Sequence, residues 1–355
     1  MVSKRSYAMR LTGLSLVLAM LIAIPLFWYL YQQYLEKPLR LESDLVFLVP
    51  ANSNLYVVAE ELGLAGVLSY QKLLVWHARL NDLTDIQAGE YRFQVGTTPK
   101  TLLEQLNTGE VIQYSTSLVE GRTFRELLAN LHNDSNIEDL LAEKSDSEII
   151  DLLEIEVDHL EGQFFPDTYA FNRGATDIEI LRRAHARMQD VLTEEWVSRR
   201  VGLPFDNAYE ALILASIVEK ETGVGVERPE IAGVFVRRLQ KGMRLQTDPT
   251  VIYGLGDAYD GNLTRKQLSE KTPYNTYRID GLPPTPIAAA GREAIRAVLH
   301  PADGASLYFV AKGNGTHQFS VTLDDHNRAV RKYQIEQRAK DYRSTPPSSE
   351  NGRDE

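Results

Sequence analysis

The segment Ala211-Leu-Ile-Leu-Ala-Ser-Ile-Val-Glu-Lys-Glu-Thr-Gly223 reads as an apolar helix that ends in two carboxylates, Glu219 and Glu221. On helical spacing Leu212, Ala215, Ser216 and Glu219 share a face, while Glu221 falls on another side beside Leu214, Ile217 and Val218. Ala215 and Ser216 are small, so a bulky group has room to approach Glu219 across them. A carboxyl set against apolar walls has its charged form disfavoured and keeps a proton near neutrality, which is what a general acid needs. The competing reading is a glutamate at the exposed end of an amphipathic helix, the commoner fate of such a residue. Polar loop material further along the chain favours the acid.

That material is Leu245-Gln-Thr-Asp-Pro-Thr250, Pro273-Tyr-Asn-Thr-Tyr277, Gly281-Leu-Pro-Pro-Thr-Pro-Ile287 and Gly315-Thr-His-Gln-Phe-Ser320. Loops of this composition, held by a helical scaffold, commonly carry function. Tyr253, Tyr274 and Tyr277 offer faces on which sugar C–H groups can stack, and Gln246, Asn275 and Gln318 can read hydroxyl and N-acetyl groups. Ser216, Asp248 and His317 complete the candidate binding set. Each tyrosine has an alternative as a loop anchor, and Asp248 before Pro249 can cap a turn. His317 is one histidine among the scattered His300 and His326, without the tight spacing of a metal site. No glycine-rich nucleotide loop follows a strand, and no G-x-S-x-G elbow is present. The expectation is therefore neither metal nor cofactor.

The elements that must position these residues occupy a chain of 355 residues, more than one core usually serves. A net charge of −11 with no basic stripe argues against nucleic acid as a partner. The absence of cysteine removes disulfides, thiolate zinc sites and cysteine nucleophiles together. Residues 11–31 are almost wholly apolar, long enough for a membrane-spanning helix, and follow Lys4, Arg5 and Arg10. They run into Phe27, Trp28, Tyr29, Tyr31 and Tyr34, an interfacial aromatic belt rather than the small-residue end of a cleaved signal. The expectation is an uncleaved anchor with residues 1–10 in the cytoplasm and the bulk outside.

Residues 32–44 read as a polar tether, and 45–110 as a β-α-α-β unit with an extra helix. Residues 111–335 read as a larger mixed α+β domain. Within it, a strand-like run over 111–119 precedes helices starting at Thr123 and Asn207, each with a glutamate three residues on, as in a capping box. Two short helices are expected over 134–160 and a longer one over 176–200. Two close-packed helices are expected over 207–222 and 228–241, then a loop-rich stretch over 247–288. A helix over 290–299, strands over 307–311 and 318–321, and a helix from Leu323 follow. Residues 336–355 have the composition of a disordered tail.

At these strings the chain resembles the endolytic murein transglycosylase, or YceG-like, family. The matches are Leu160-Glu-Gly-Gln-Phe-Phe-Pro-Asp-Thr-Tyr169, Ala215-Ser-Ile-Val-Glu-Lys-Glu221, Val234-Phe-Val-Arg-Arg-Leu239 and Gly242-Met-Arg-Leu-Gln-Thr-Asp-Pro-Thr250, followed by Pro273–Tyr277, Gly281–Ile287 and Tyr308-Phe-Val310. The resemblance implies a single-pass inner-membrane protein with a periplasmic LysM-like subdomain and a catalytic domain. It implies non-hydrolytic cleavage of nascent peptidoglycan between N-acetylmuramic acid and N-acetylglucosamine, with the family's catalytic glutamate falling on Glu219. Glycan strands, the inner membrane and peptidoglycan synthases of the elongation or division machinery are the partners implied.

Two strings depart from the family pattern. Ala288-Ala-Ala-Gly291 replaces Asn-Pro-Gly, and Ser117-Leu-Val-Glu-Gly121 lacks a proline before Glu-Gly. Neither is expected to touch the acid. Three other readings compete: a muramidase using water with Asp248 or Glu221 as second carboxylate, a non-catalytic peptidoglycan-binding scaffold, and a metal-dependent amidase.

Overall fold

A computed structural model describes residues 2–50 and 52–336, so the tail, apart from Glu336, lies outside the described residues. The chain divides into two compact units, Met1–Tyr114 and Ser115–Glu355. It is of mixed α+β class.

The first unit begins with helix α1, Val2–Glu36. Its stretch Val17–Glu36 is long and apolar enough to cross a membrane. The tether expected from residue 32 is not free chain. The helix continues to Glu36, Tyr31 and Leu35 are buried, and Leu39 joins the core of the unit. Leu39 N–H also donates to Thr97 O at 2.8 Å. Sequence polarity hid this because only every fourth residue turns inward.

Strand β1, Leu45–Val49, is followed by helices α2, Leu55–Leu64, and α3, Gln71–Leu80, then by β2, Gly89–Phe93, and α4, Pro99–Thr108. β1 and β2 pair antiparallel from Leu45↔Phe93 to Val49↔Gly89. Val58, Leu62, Leu74, Leu102 and Leu106 close over Tyr91 and Phe93. The Asn54 side chain caps α2, a Thr98–Thr101 box starts α4, and Gly109, with φ of 75°, ends it in a left-handed turn that favours glycine.

The second unit opens within β3, Gln113–Ser117, which pairs with β4, Thr168–Asn172. Between them lie α5, Phe124–His132, and α6, Asp146–Leu153. The Thr123–Glu126 capping box is present. Of the two helices expected over 134–160 only α6 forms. The residues before it are turns fixed by the buried Asp177 carboxylate, which accepts from Leu140 and Leu141 N–H.

Next come α7, Asp177–Val197; α8, Ala208–Glu221; and α9, Arg228–Gln240. The Asn207 side chain caps α8, but no box closes there, because Glu210 turns to Asp206 N–H instead. The loop-rich stretch contains two short helices, α10, Asp248–Leu255, and α11, Arg265–Ser269. Pro249 in the first turn and a Thr264–Gln267 box start them. Then follow α12, Arg292–Leu299; the antiparallel strands β5, Tyr308–Ala311, and β6, His317–Ser320; and α13, Leu323–Val330, which runs into a π-helical turn over Arg331–Glu336.

Every residue of α8 from Ala211 to Val218 is buried. A helix apolar all round has to be enclosed. Residues of α7, α9 and α12 enclose it, with Met188, Ile231, Phe235, Ile295 and Val298 in one core.

Candidate active site

Glu219 emerges at the end of this enclosed helix with its side chain only 5% exposed. Its two oxygens have different partners. Arg228 Nη2 donates to Oε1 at 2.8 Å, and the Gly291 N–H donates to Oε2 at 3.0 Å. Burial pushes the carboxyl above the ordinary carboxylate range, while the Arg228 charge and the Gly291 N–H pull it back and Glu120 adds a further upward push. Desolvation is the largest of these effects, so Glu219 holds its proton more firmly than a free carboxyl does, and two donors stand ready for its anion.

Arg228 had no place in the sequence reading. Its guanidinium is nearly buried and is shared among Glu219, Glu293 at 2.7 Å and Glu120 at 3.7 Å. A signal did exist: an arginine in the first turn of a helix opposes the helix dipole, so a carboxylate partner elsewhere was needed.

The two departing strings both reach the acid, contrary to expectation. Gly291 supplies the N–H on Oε2, and a Cβ added there would come within 2.0 Å of Glu120 Oε1. Gly121, at φ of 74°, sits where a Cβ would lie 4.0 Å from Glu219 Cγ. The strings are laced together by Gly121 N–H to Ala289 O and Ala289 N–H to Arg122 O, both at 2.8 Å. Lys220 Nζ donates to Gly121 O at 3.0 Å. Spacing along the chain could not reveal contacts formed only by folding.

Glu221 points elsewhere, as its place on the helix requires. It accepts a very short hydrogen bond from the Thr247 hydroxyl, and burial pushes its carboxyl up to about 7. Asp248 is exposed and accepts from the Tyr277 hydroxyl at 2.7 Å. Gln246, also exposed and held at φ of 54°, donates its N–H to Thr276 O and accepts from Arg238 at 3.4 Å.

Ser216 and Asn275, expected to contact a ligand, have no exposed surface and turn their side chains to partners inside the fold. The Ser216 hydroxyl donates to Ile213 O at 2.7 Å and accepts from Ile287 N–H at 2.9 Å. It thereby pins the 281–291 loop to α8. Asn275 donates to Gln267 O and Glu270 O and accepts from Tyr277 N–H, which makes it a loop anchor. Polar type had suggested reading groups, whereas folding uses both to satisfy buried backbone.

Tyr274 bonds the Thr285 hydroxyl at 2.8 Å and meets Tyr253 edge-on at 5.0 Å. Tyr253 in turn is bonded to Glu161, a buried carboxyl that also accepts from Phe124 N–H at 3.0 and 3.2 Å and that burial pushes up to about 7. In the sequence Glu161, a charged residue between Leu160 and Gly162, looks like ordinary turn material and gives no sign of this burial.

His317 is buried, with its N–H and Nδ1 both on the Glu227 carboxylate at 2.9 and 2.8 Å. It is thus fixed one residue from Arg228. Gln318 is half-buried and donates to Phe319 O. His300 and His326 have other partners, Ser198 and Tyr308. Among the described residues the metal-type cluster is His132, Asp139 and Asp177, none of them in this site.

The site thus joins one enclosed carboxyl with a raised proton affinity to a cation and a backbone N–H, a set of groups able to give and take a proton. The chain matches the YceG-like family over residues 47–332 and belongs to that family. It is 31% identical over 324 residues to a Bacillus subtilis protein named endolytic murein transglycosylase, covering 86% of this chain and 89% of that one. A Streptococcus pneumoniae protein of the same name is 26% identical over 337 residues, 84% of this chain and 61% of the relative. A crystal structure of a yceG-like protein from Listeria monocytogenes is 27% identical, with a TM-score of 0.49 over 81% of this chain and 99% of that chain.

Proposed function

We propose that this chain is an endolytic peptidoglycan lytic transglycosylase in which Glu219 is the single catalytic acid/base. It cleaves between N-acetylmuramic acid and N-acetylglucosamine in nascent strands, leaves 1,6-anhydro-N-acetylmuramic ends, and so terminates or trims strand elongation. The observation that carries the reading is the enclosed Glu219 carboxyl, biased toward its protonated form yet held by Arg228 and Gly291.

Protonated Glu219 donates to the glycosidic oxygen as the muramoyl C1–O bond breaks, and the N-acetylglucosamine leaves as an alcohol. The resulting carboxylate, met by Arg228 and the Gly291 N–H, then takes the proton of the muramoyl C6 hydroxyl. O6 closes on C1, and Glu219 ends protonated as it began. Neither water nor a second carboxylate is consumed, in contrast to two-carboxylate glycosidases. The commitments of Glu221 to Thr247 and of Asp248 to Tyr277 support this over the hydrolytic reading. Gln246, Asp248, Tyr274, Tyr277, His317 and Gln318 are the groups proposed to shape the glycan site.

In the same reading α1 is a single-pass inner-membrane anchor with its N-terminus in the cytoplasm, and residues 45–110 form a LysM-like subdomain in the periplasm. Peptidoglycan synthases of the elongation or division machinery are the protein partners. The test is mass spectrometry of products released by the purified full chain from uncrosslinked glycan. Anhydromuramoyl ends are expected, and reducing muramoyl ends would refute the reading.

A further inference from the structure

The outward face of α3 is unlike that of a soluble helix. Leu74, Val75 and Ala78 face the core, while Lys72, Trp76, Arg79 and Leu80 are exposed together. These four recur at helical spacing and make one stripe. Trp76 is 43% exposed and Leu80 60%, flanked by two cations in a chain of net charge −11. Such a mixture of indole, leucine and basic ends is the composition of a helix lying in a membrane interface.

The position of the stripe along α1 adds an independent observation. The Trp76 ring meets Phe27 at 6.5 Å and Tyr31 at 5.6 Å, both edge-on. His77 Nδ1 makes a very short hydrogen bond to the Tyr31 hydroxyl. One turn further along α1, Tyr34 meets Tyr70 edge-on at 6.1 Å. If residues 11–31 fill a hydrocarbon layer of about 30 Å at about 1.5 Å per residue, Phe27 and Tyr31 belong to the last turn inside its boundary. A side chain touching both of them lies at that depth.

We infer that the α3 face bearing Lys72, Trp76, Arg79 and Leu80 rests in the interfacial layer of the membrane that α1 spans, so that the first unit is seated on lipid. The inference rests on the anchor reading of α1. Trp76 and Leu80 enter the headgroup–acyl boundary beside the exit of α1, and Lys72 and Arg79 meet lipid phosphates. The occupant is lipid because the patch continues the apolar surface of the anchor itself.

The three tryptophans, Trp28, Trp76 and Trp196, allow a direct test in the full chain. W28F/W196F leaves Trp76 as sole emitter, and W76F/W196F leaves Trp28, each reconstituted into nanodiscs of phosphatidylethanolamine and phosphatidylglycerol. With lipids brominated near the carbonyl end of the acyl chain, Trp76 emission is expected to be about halved relative to unbrominated discs. Unchanged Trp76 emission with quenched Trp28 would overturn the seating while leaving the anchor intact. Failure of both to quench would overturn the anchor reading and the seating with it. Because the chain has no cysteine, L80C carrying a nitroxide gives a second measurement in the otherwise native chain. Greater collision with oxygen than with a water-soluble nickel chelate is expected, and the reverse ratio would reject the proposal.

Discussion

Replacing Glu219 with Gln removes the transferable proton and keeps nearly the same shape. Loss of general acid/base catalysis is worth roughly 10²–10⁴ in rate. That corresponds to about 3–5 kcal/mol of barrier. Among the described residues no carboxyl but Glu219 accepts from both Arg228 Nη2 and the Gly291 N–H, so a loss at the upper end is expected. The fold bears a smaller burden. Both Arg228 Nη2 and the Gly291 N–H point at carboxylate oxygens, and an amide can offer an oxygen to only one of them. One buried donor then faces an NH2 group, a defect costing about 1–3 kcal/mol. Removal of a desolvated charge offsets part of this. Glu221→Gln is the internal control, since one amide oxygen can still accept from the Thr247 hydroxyl. Its activity is expected within about tenfold of wild type. The assay is anhydromuramoyl product per unit time at equal concentrations of protein shown to be folded by circular dichroism. Product from folded Glu219→Gln at near wild-type rate, or its loss only in Glu221→Gln, would refute the assignment.

Arg228→Met removes the strongest influence lowering the Glu219 proton affinity, so the carboxyl should stay protonated to higher pH. The alkaline limb of the kcat/KM profile is expected to move upward, and a fixed or falling limb would contradict the role given to Arg228. Ser216→Ala leaves the buried Ile287 N–H without its acceptor, a loss of about 1–3 kcal/mol by denaturant titration with KM unchanged. A raised KM at unchanged stability would restore Ser216 to the binding set. Glu161, pushed up to about 7, keeps a proton in the folded chain that an unfolded chain releases above about 4.5. Its contribution to stability is therefore full below pH 4.5 and falls as pH rises toward 7, by roughly 3 kcal/mol in all. Glu161→Gln should flatten that part of the stability–pH curve, and a curve as steep as wild type would count against it. Glu221 acts in the same direction, so some slope should remain.

The sequence disclosed those features that depend on local periodicity. The uncharged run before Glu219 demands an enclosed helix, and α8 is buried from Ala211 to Val218. Opposite faces for Glu219 and Glu221 follow from their spacing, and their different partners agree with it. Capping at Thr123 was likewise readable. The rest depends on which distant backbone needs a partner. Asn275 and Ser216 look like binding groups by type, yet each answers a buried amide or carbonyl. The β4 strand shows alternate burial at Tyr169 and Phe171, but five residues without an evident partner are too few to announce it. The contact of Leu35 and Leu39 with the first unit was hidden inside a stretch whose average composition is polar.

Arg228 shows how the acid can be both buried and usable. A full, private ion pair would hold Glu219 ionised and leave it a poor proton donor. Here one guanidinium serves three carboxylates, and Glu120 and Glu293 are much more exposed than Glu219. Exposed pairs of that kind add little stability by themselves. They do divide the cation's charge, and Glu120 also pushes the Glu219 carboxyl toward its protonated form. Once Glu219 has given up its proton, Arg228 and the Gly291 N–H are already in place for the anion, with no reorganisation required. The close packing of Glu120 on Gly291 ties that balance to both the 117–121 and the 288–291 strings. Those strings therefore bear on proton affinity at the acid rather than on loop shape alone.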